Sequence, residues 1–118
     1  MQPVRNIEAI FGEEAELWSP RIVAEVNDYD VKVVRVEGTF PEHVHAGTDE
    51  FFMVVSGALS LDLPGATIEL RRNDVFTVPK GVRHRPRAED GTLVLVFEPR
   101  GTVNTGDGSS GTPGTRAE

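Results

Sequence analysis

The sequence predicts an all-β protein, built as a barrel or sandwich of about eight short strands. Three observations support this class. Short stretches rich in apolar and β-branched residues follow one another, turn-forming residues separate them, and a helical pattern occurs only near the N-terminus. Strands this short leave unpaired edges, which closure into a barrel or a double-sheet jelly roll removes. We therefore expect a closed β architecture.

The first predicted element is a short helix. Asn6 can cap it, and Ile7, Ile10 and Phe11 are spaced to form one apolar face. Pro20 disfavours helical conformation in the residue before it, so the helix must end earlier. We expect residues 1–19 to form an N-terminal arm with this helix, and residues 20–100 to form the β domain.

The strands follow in series. The clearest of them, Ala58–Leu63, alternates leucines with polar residues, which is the period of a half-buried strand. Turn chemistry separates neighbouring strands, as in Asn27–Asp30 and Pro64-Gly65. The predicted strands are Arg21–Val26, Val31–Glu37, Glu50–Ser56, Ala58–Leu63, Ala66–Leu70, Asp74–Val78, His84–Ala88 and Thr92–Glu98.

Two five-residue runs are apolar throughout, Phe51–Val55 and Leu93–Phe97, which indicates strands covered on both faces. One face of each would line the barrel interior. The outward members of the first run would be Phe51, Met53 and Val55. Because an exposed apolar patch usually marks an interface, we expect a homodimer.

Composition excludes several classes of function. The 118 residues include 12 Lys and Arg against 19 Asp and Glu, a formal net charge of −7. We therefore expect no nucleic acid partner and no membrane partner. The chain has no cysteine, which excludes disulfide frameworks, cysteine-ligated metals and thiol catalysis. No apolar run approaches the roughly 20 residues of a membrane span, and the N-terminus lacks a signal-peptide core, so we expect a cytoplasmic protein.

The C-terminal end has a different composition. Residues 100–118 contain five Gly, four Thr and two Ser, with little apolar surface to bury. Such a segment cannot offset its ordering entropy. We expect residues 101–118 to form a largely mobile tail, dispensable for folding from Gly108 onward.

The three histidines of the chain form one candidate site with a glutamate. His43 and His45 are two residues apart, so both point to the same side of an extended strand. Glu50 follows a bend at Ala46-Gly47-Thr48, and His84 follows a turn at Pro79-Lys80-Gly81. Three imidazoles and a carboxylate suit a divalent first-row metal and leave two octahedral positions open. The alternative is that these are ordinary surface polar residues; the inclusion of every histidine favours the metal.

Here the sequence resembles the cupin family. Gly38, His43, His45, Glu50 and Gly57 follow the first cupin motif, one residue short between its leading Gly and first His. The stretch 79–84 matches the centre of the second motif, with Asn73 where that motif opens with Gly and Ala88 where it closes with Asn. Asn tolerates positive φ, so the same turn can form at position 73.

The resemblance implies a jelly-roll barrel, also called a double-stranded β-helix. It further implies that His43, His45, Glu50 and His84 bind one divalent metal, commonly Fe, Mn, Ni, Co, Cu or Zn. The end of the chain is similar to that of small single-domain cupins, many loosely labelled as mannose-6-phosphate isomerase-like.

The residues expected to surround the metal are mainly apolar. If Glu50 faces inward, residues of the same strand parity and of the neighbouring strands line the pocket with it. A phosphate substrate would require a cationic clamp, for which Arg35 and Lys80 are the candidates. The expected substrate pocket is Phe52, Val54, Leu59, Leu61, Phe76 and Arg35.

Two functional hypotheses follow. The first is a small metalloenzyme of dioxygenase, isomerase or lyase type that acts on a small molecule, with Glu50, if loosely bound, as the candidate catalytic base. The second is a metal-dependent module that binds or senses a small ligand without turnover. A storage-type cupin is a third interpretation, and it needs no full ligand set. The reaction class rests on analogy, because fold does not determine function.

Overall fold

The computed structural model describes residues 1–12, 16–103, 106 and 115–116, and within these it has one helix and eight strands. The all-β jelly-roll barrel with a short N-terminal helix is confirmed. No helix of the described residues is long and apolar enough to cross a membrane. The elements are α1 (Ile7–Ile10), β1 (Arg21–Val26), β2 (Tyr29–Thr39), β3 (Glu50–Ser56), β4 (Ala58–Leu63), β5 (Ala66–Arg71), β6 (Val75–Val78), β7 (Arg85–Pro99) and β8 (Thr115–Arg116).

The barrel is organised around β7, its longest strand. β2 lies along one side of β7, whereas the other side pairs first with β4 and then with β3. β3 also pairs with β6, β4 with β5, and β2 with β1. These pairs are antiparallel, and β8 pairs with β1 in parallel. One strand therefore connects both halves of the sheet.

Two features of the strand pattern differ from the sequence prediction. The expected strands His84–Ala88 and Thr92–Glu98 are joined, apart from His84 itself, in the single strand β7. β2 pairs with β7 on both sides of an irregularity between Val36 and Gly38. The expected turn at Asn27–Asp30 is also shorter. Val26 pairs with Tyr29 and Asn27 has a φ of 55°, so Asn27 and Asp28 alone make the turn.

The barrel interior is filled by alternating apolar side chains. On β3, Phe52 and Val54 are buried, in keeping with the inward parity expected from Glu50. Asn73 has a φ of 72°, and its N–H donates to the Val54 carbonyl, so the turn expected without glycine does form. Ala88 lies buried in this core, where a side chain without polar atoms leaves none unsatisfied.

A second apolar cluster lies outside the barrel. Phe11 at the end of α1 packs with Val33 and Leu93, and Val55 and Leu95 border it. Asn6 caps the helix, its Oδ1 accepting the Ala9 N–H at 3.0 Å. The helix thus covers part of the outward apolar face on which the homodimer was predicted.

The C-terminal tail was predicted to be largely mobile over residues 101–118. Most of these residues, including nearly all from Gly108 onward, lie outside the described part of the chain. Of the described ones, Thr115 and Arg116 pair with Arg21 and Ile22 of β1. Gly106 is buried and packs against Val44, beside the candidate site.

Candidate metal centre

Backbone pairing brings the first and last histidines together. His43, in the loop after β2, and His84, just before β7, form an isolated antiparallel bridge. The N–H of each donates to the carbonyl of the other, at 3.0 and 2.9 Å. Their imidazole centroids are consequently 4.3 Å apart, although 41 positions separate them in the sequence.

His45 and Glu50 lie close to these two histidines. The His45 carbonyl accepts the Gly81 N–H at 2.8 Å, which ties the His43–His45 loop to the turn before His84. Glu50 begins β3 and faces inward. One ligand atom from each of the four residues lies within 4.8 Å of the others, and no residue of the set is more than 7% exposed. Ligand atoms about 2 Å from a common ion lie at most about 4 Å apart, so binding an ion would draw these four atoms together by less than about 1 Å.

Backbone carbonyls orient two of the imidazole rings. His43 Nδ1 lies 2.9 Å from the Pro41 carbonyl oxygen, and His84 Nδ1 lies 3.0 Å from that of Val82. A carbonyl can only accept, so Nδ1 carries the hydrogen in both rings and Nε2 of a neutral ring keeps its lone pair. Histidine ligands of metals are commonly held in this way.

The contact of Glu50 with His84 tests whether the residues fit a cation. Glu50 Oε1 lies 2.8 Å from His84 Nε2, and Oε2 lies 3.4 Å from His45 Nε2. With Nδ1 of His84 already donating, a neutral His84 and an ionised Glu50 would face each other as two acceptors. Such a contact requires a positive charge, either a proton or a metal ion, between them. The donor set therefore fits a divalent ion.

The charge states of these groups agree with that role. Burial opposes ionisation of Glu50, but hydrogen bonds with His45 and His84 outweigh it and hold its pKa well below the usual range. Burial lowers the pKa of His43, and the neighbouring His84 lowers it further, although the Pro41 carbonyl opposes this. Near neutral pH, the site thus offers a carboxylate and a neutral imidazole.

A cavity of about 60 Å³ adjoins these residues, and His43 and Glu50 form part of its wall. The rest of the wall is mostly apolar and comes from the barrel interior and the N-terminal arm, including Trp18, Val34, Val36, Phe40, Phe52 and Leu59. The metal-ligand set and the cavity thus form a single site.

A buried ion pair completes the wall of the cavity. Lys32 Nζ lies 2.9 Å from Glu98 Oε1 and donates a second hydrogen bond to the Thr102 carbonyl at 3.0 Å. Lys32 is 1% exposed and Glu98 is 2% exposed. Burial raises the pKa of Glu98 to about 7, the charge of Glu50 adding to this shift and Lys32 opposing it.

The expected pocket residues lie in three different environments. Phe52 and Leu59 line the cavity. Val54 and Leu61 are fully buried in the core, and Phe76 packs against that core from the strand beside β3. None of these three belongs to the cavity wall.

Arg35 projects away from the cavity. Its guanidinium donates to the Phe11 and Gly91 carbonyls, at 3.1 and 3.3 Å, and so connects the N-terminal arm to the barrel. Lys80, the other cationic candidate, is exposed. Neither side chain supplies a cation to the cavity wall.

Sequence reasoning did not identify Lys32 and Glu98. The available signal was strand parity: Lys32 shares the inward face of β2 with Val34 and Val36, whereas Arg35 has the opposite parity. Glu98 likewise alternates with Val94 and Val96 on β7. Because charged residues are rarely buried, composition assigns both to the surface, and only their mutual pairing makes burial possible.

The comparisons with known proteins agree with this architecture. Residues 31–98, more than half of the chain, match the cupin domain family. The chain therefore belongs to the cupin family.

Three proteins similar to this chain include one named enzyme. The uncharacterised protein YdbB of Bacillus subtilis (strain 168) is 34% identical over 83% of this chain and 88% of its own length. A cupin-2 domain protein from Shewanella frigidimarina, known from a crystal structure, is 41% identical with a TM-score of 0.73, over 78% of this chain and 87% of that one. 3-Hydroxyanthranilate 3,4-dioxygenase of Burkholderia cenocepacia is 32% identical over 84% of this chain. This chain spans 63% of that enzyme, which is less than two thirds of its length.

Proposed function

We propose that this cupin is a metal-dependent enzyme that acts on a small, largely apolar molecule, with oxidation by dioxygen as the leading reaction class. The observation that carries the proposal is the continuity of the ligand set with an apolar cavity through His43 and Glu50. A molecule in this cavity lies directly beside the residues that would hold the ion. An isomerase or lyase reaction would use the same arrangement.

The metal would be held by His43, His45, Glu50 and His84. When bound, a divalent ion there supplies either a Lewis acid for an oxygen of the substrate or a centre for dioxygen chemistry. The similarity to a dioxygenase favours the second, and the identity of the ion is left to metal analysis.

The chain's own residues contribute orientation and a dry environment. The Pro41 and Val82 carbonyls fix two imidazoles with Nε2 available, and the apolar wall excludes water around the substrate. We assign Glu50 the role of a ligand instead of a catalytic base, because its depressed pKa gives it little affinity for a proton.

The proposal includes a homodimer. On the outer surface of β3 and β6, Phe51 and Met53 are half-buried and Val75 is 56% exposed. Among the described residues, β6 pairs only with β3, so one backbone edge is available beside this apolar face. A second copy of the chain would cover this apolar face and pair with the backbone edge of β6. A cytoplasmic location remains a prediction, which cell fractionation would test.

The test of the function is turnover. Protein loaded separately with Fe²⁺, Mn²⁺, Ni²⁺ or Zn²⁺ is supplied with small phenols, enols and 1,3-diketones, while dioxygen consumption and product formation are recorded. With a redox-active ion, we expect the parent to consume dioxygen and His84→Ala to consume none. Ligand binding in the cavity without any product would support the alternative, a metal-dependent binding module. Binding is followed by the fluorescence of Trp18, the single tryptophan of the chain, which lies on the cavity wall.

A further inference from the structure

We propose that Glu98 determines substrate specificity by accepting a hydrogen bond from a hydroxyl or N–H group of the molecule in the cavity. This inference rests on the proposed small-molecule site and names the class of molecule it takes. The expected ligand is small, uncharged and mostly apolar, with one hydrogen-bond donor at the end that enters the cavity.

The first observation is an unsatisfied acceptor. Glu98 Oε1 pairs with Lys32, but Oε2 is buried and no described residue donates a hydrogen bond to it. Glu98 also interacts with Glu50, which as a carboxylate cannot donate. A buried polar atom without a partner costs about 1–3 kcal/mol. Such atoms are rare in folded proteins, and those found beside a cavity are candidates for contact with a ligand.

The second observation is that Lys32 holds Glu98 in place. Lys32 Nζ is itself fixed by the Thr102 carbonyl at 3.0 Å, so the ammonium bridges β7 to the segment after it. Glu98 Oε1 is thereby occupied, and Oε2 is the oxygen left for another donor. The acceptor is therefore positioned before any ligand arrives, which reduces the entropic cost of binding.

The third observation is the balance of charge around the cavity. Its wall carries the carboxylates of Glu50 and Glu98, and the ammonium of Lys32 already serves Glu98. A carboxylate or phosphate ligand would find no unpaired cationic side chain there among the described residues. At the Glu98 end of the cavity, this environment therefore disfavours an anionic group and favours a hydrogen-bond donor on a neutral one.

Size limits the class further. The free volume of about 60 Å³ is well under the roughly 150 Å³ of a protein cavity that holds benzene. The cavity accommodates the polar end of a molecule, and the remainder must lie toward its opening.

Replacing Glu98 by Gln provides a selective test, because it preserves size and reverses polarity. In Glu98→Gln, the amide oxygen takes the place of Oε1 beside Lys32, and the amide NH₂ takes the place of Oε2. The variant therefore presents a donor where the parent presents an acceptor. A ligand with a hydroxyl should bind this variant more weakly than it binds the parent, and a ligand with only a carbonyl should bind it more tightly.

The experiment compares cyclohexanol with cyclohexanone on Zn²⁺-loaded protein at about pH 8.5, above the Glu98 pKa of about 7, so that Glu98 is ionised. Affinity is read from Trp18 fluorescence and calorimetry. We expect the parent to bind cyclohexanol about tenfold more tightly than cyclohexanone, and Glu98→Gln to abolish or reverse that ratio. The matched control is Glu89→Gln, which changes an exposed carboxylate of the same strand and should leave the ratio unchanged. If Glu98→Gln does not fold, the double variant Lys32→Met, Glu98→Gln, which removes both charges of the buried pair, is used for the same comparison.

The outcomes separate this inference from the proposed function. Equal ratios in the parent and Glu98→Gln, with both ligands bound, would overturn the role of Glu98 and leave the small-molecule site intact. Failure of the parent to bind either ligand would count against the site itself, and against this inference with it. A ratio that changes equally in Glu89→Gln would show a general effect of charge and overturn the role of Glu98.

Discussion

Gly106 packs directly against Val44, between the first two candidate histidine ligands: a Cβ at position 106 would stand 2.7 Å from the Val44 carbonyl oxygen and 3.0 Å from the His43 Cβ. Gly106 also has a φ of 90°, a conformation that suits glycine. Gly106 thus packs against the backbone that carries His43. Gly106 therefore leaves no room for a side chain beside the backbone of His43 and Val44.

Gly106→Ala should weaken metal binding, because the added methyl group must displace the loop that holds His43. Substitutions that disturb the support of a metal ligand typically reduce affinity by about 10–100-fold. Competition with a chelator measures the change. Gly101→Ala is the control, since Gly101 also has a positive φ but has open space around its Cβ position. It should cost about 1 kcal/mol of stability and leave metal affinity unchanged; equal losses of affinity in both variants would contradict the account.

Lys32→Met should strongly destabilise the protein, because it leaves Glu98 buried without its cation. Removing one partner of a buried ion pair costs about 3–5 kcal/mol. We expect Tm to fall by about 10–20 °C in thermal unfolding. The double variant Lys32→Met, Glu98→Leu should recover most of this loss. A single variant as stable as the parent would show that the pair is not needed to bury Glu98.

Asp62→Asn should lower Tm at neutral pH. Hydrogen bonds from Arg87 and Thr67, with a further one from Arg85, hold the pKa of Asp62 well below its usual range. The folded pKa lies below the unfolded value of about 3.9, so the stabilisation is complete above about pH 4 and is lost as the pH falls further. The difference in Tm between parent and variant should therefore shrink in acid. A difference that stays constant down to about pH 2 would contradict this. Asp28→Asn, at an exposed turn, is the control.

The homodimer predicts a doubled mass in solution. A chain of 12.9 kDa should scatter light as a particle of about 26 kDa at micromolar concentration. Val75→Glu places a charge on the exposed apolar face of β6 and should shift the mass toward the monomer, since a buried unpaired charge is costly. A parent that scatters as a monomer would refute the dimer. Glu69→Gln on β5, which changes an exposed charge elsewhere, should not alter the mass.

The sequence was sufficient for most of the fold, because strand periodicity and turn residues are local signals. The Leu59–Leu61–Leu63 alternation and the Asn6 cap correspond to elements of the structure. The division of β7 into two strands was wrong, because Glu89, Asp90 and Gly91 break the apolar pattern although β2 pairs on either side of them. Pairing across the sheet is non-local, and composition cannot reveal it.

The site was only partly predictable, for a similar reason. The four candidate ligands could be proposed from residue type and spacing, and the structure brings them together. The residues of the cavity wall could not be proposed in this way, because they depend on which face of each strand is turned inward. Arg35 and Lys32 are three residues apart on β2, and their opposite parity places only Lys32 on the cavity wall.

The central claim is that His43, His45, Glu50 and His84 bind one divalent ion. Ligation requires neutral imidazoles, whose pKa is ordinarily about 6.5, and burial lowers the pKa of His43 further. Metal should therefore bind at about pH 7.5 and be lost progressively below about pH 6. Bound metal should also raise Tm, because the ion binds the folded state.

The most direct measurement is metal content per chain, by elemental analysis, for the parent, His84→Ala and Arg83→Ala after loading with Fe²⁺, Mn²⁺, Ni²⁺ or Zn²⁺ and removal of unbound ions. Arg83 is the exposed neighbour of His84, which makes it the matched control. We predict about one ion per chain in the parent and in Arg83→Ala, and strongly reduced occupancy in His84→Ala. Full occupancy in His84→Ala, or none in the parent with any of these ions, would contradict the account.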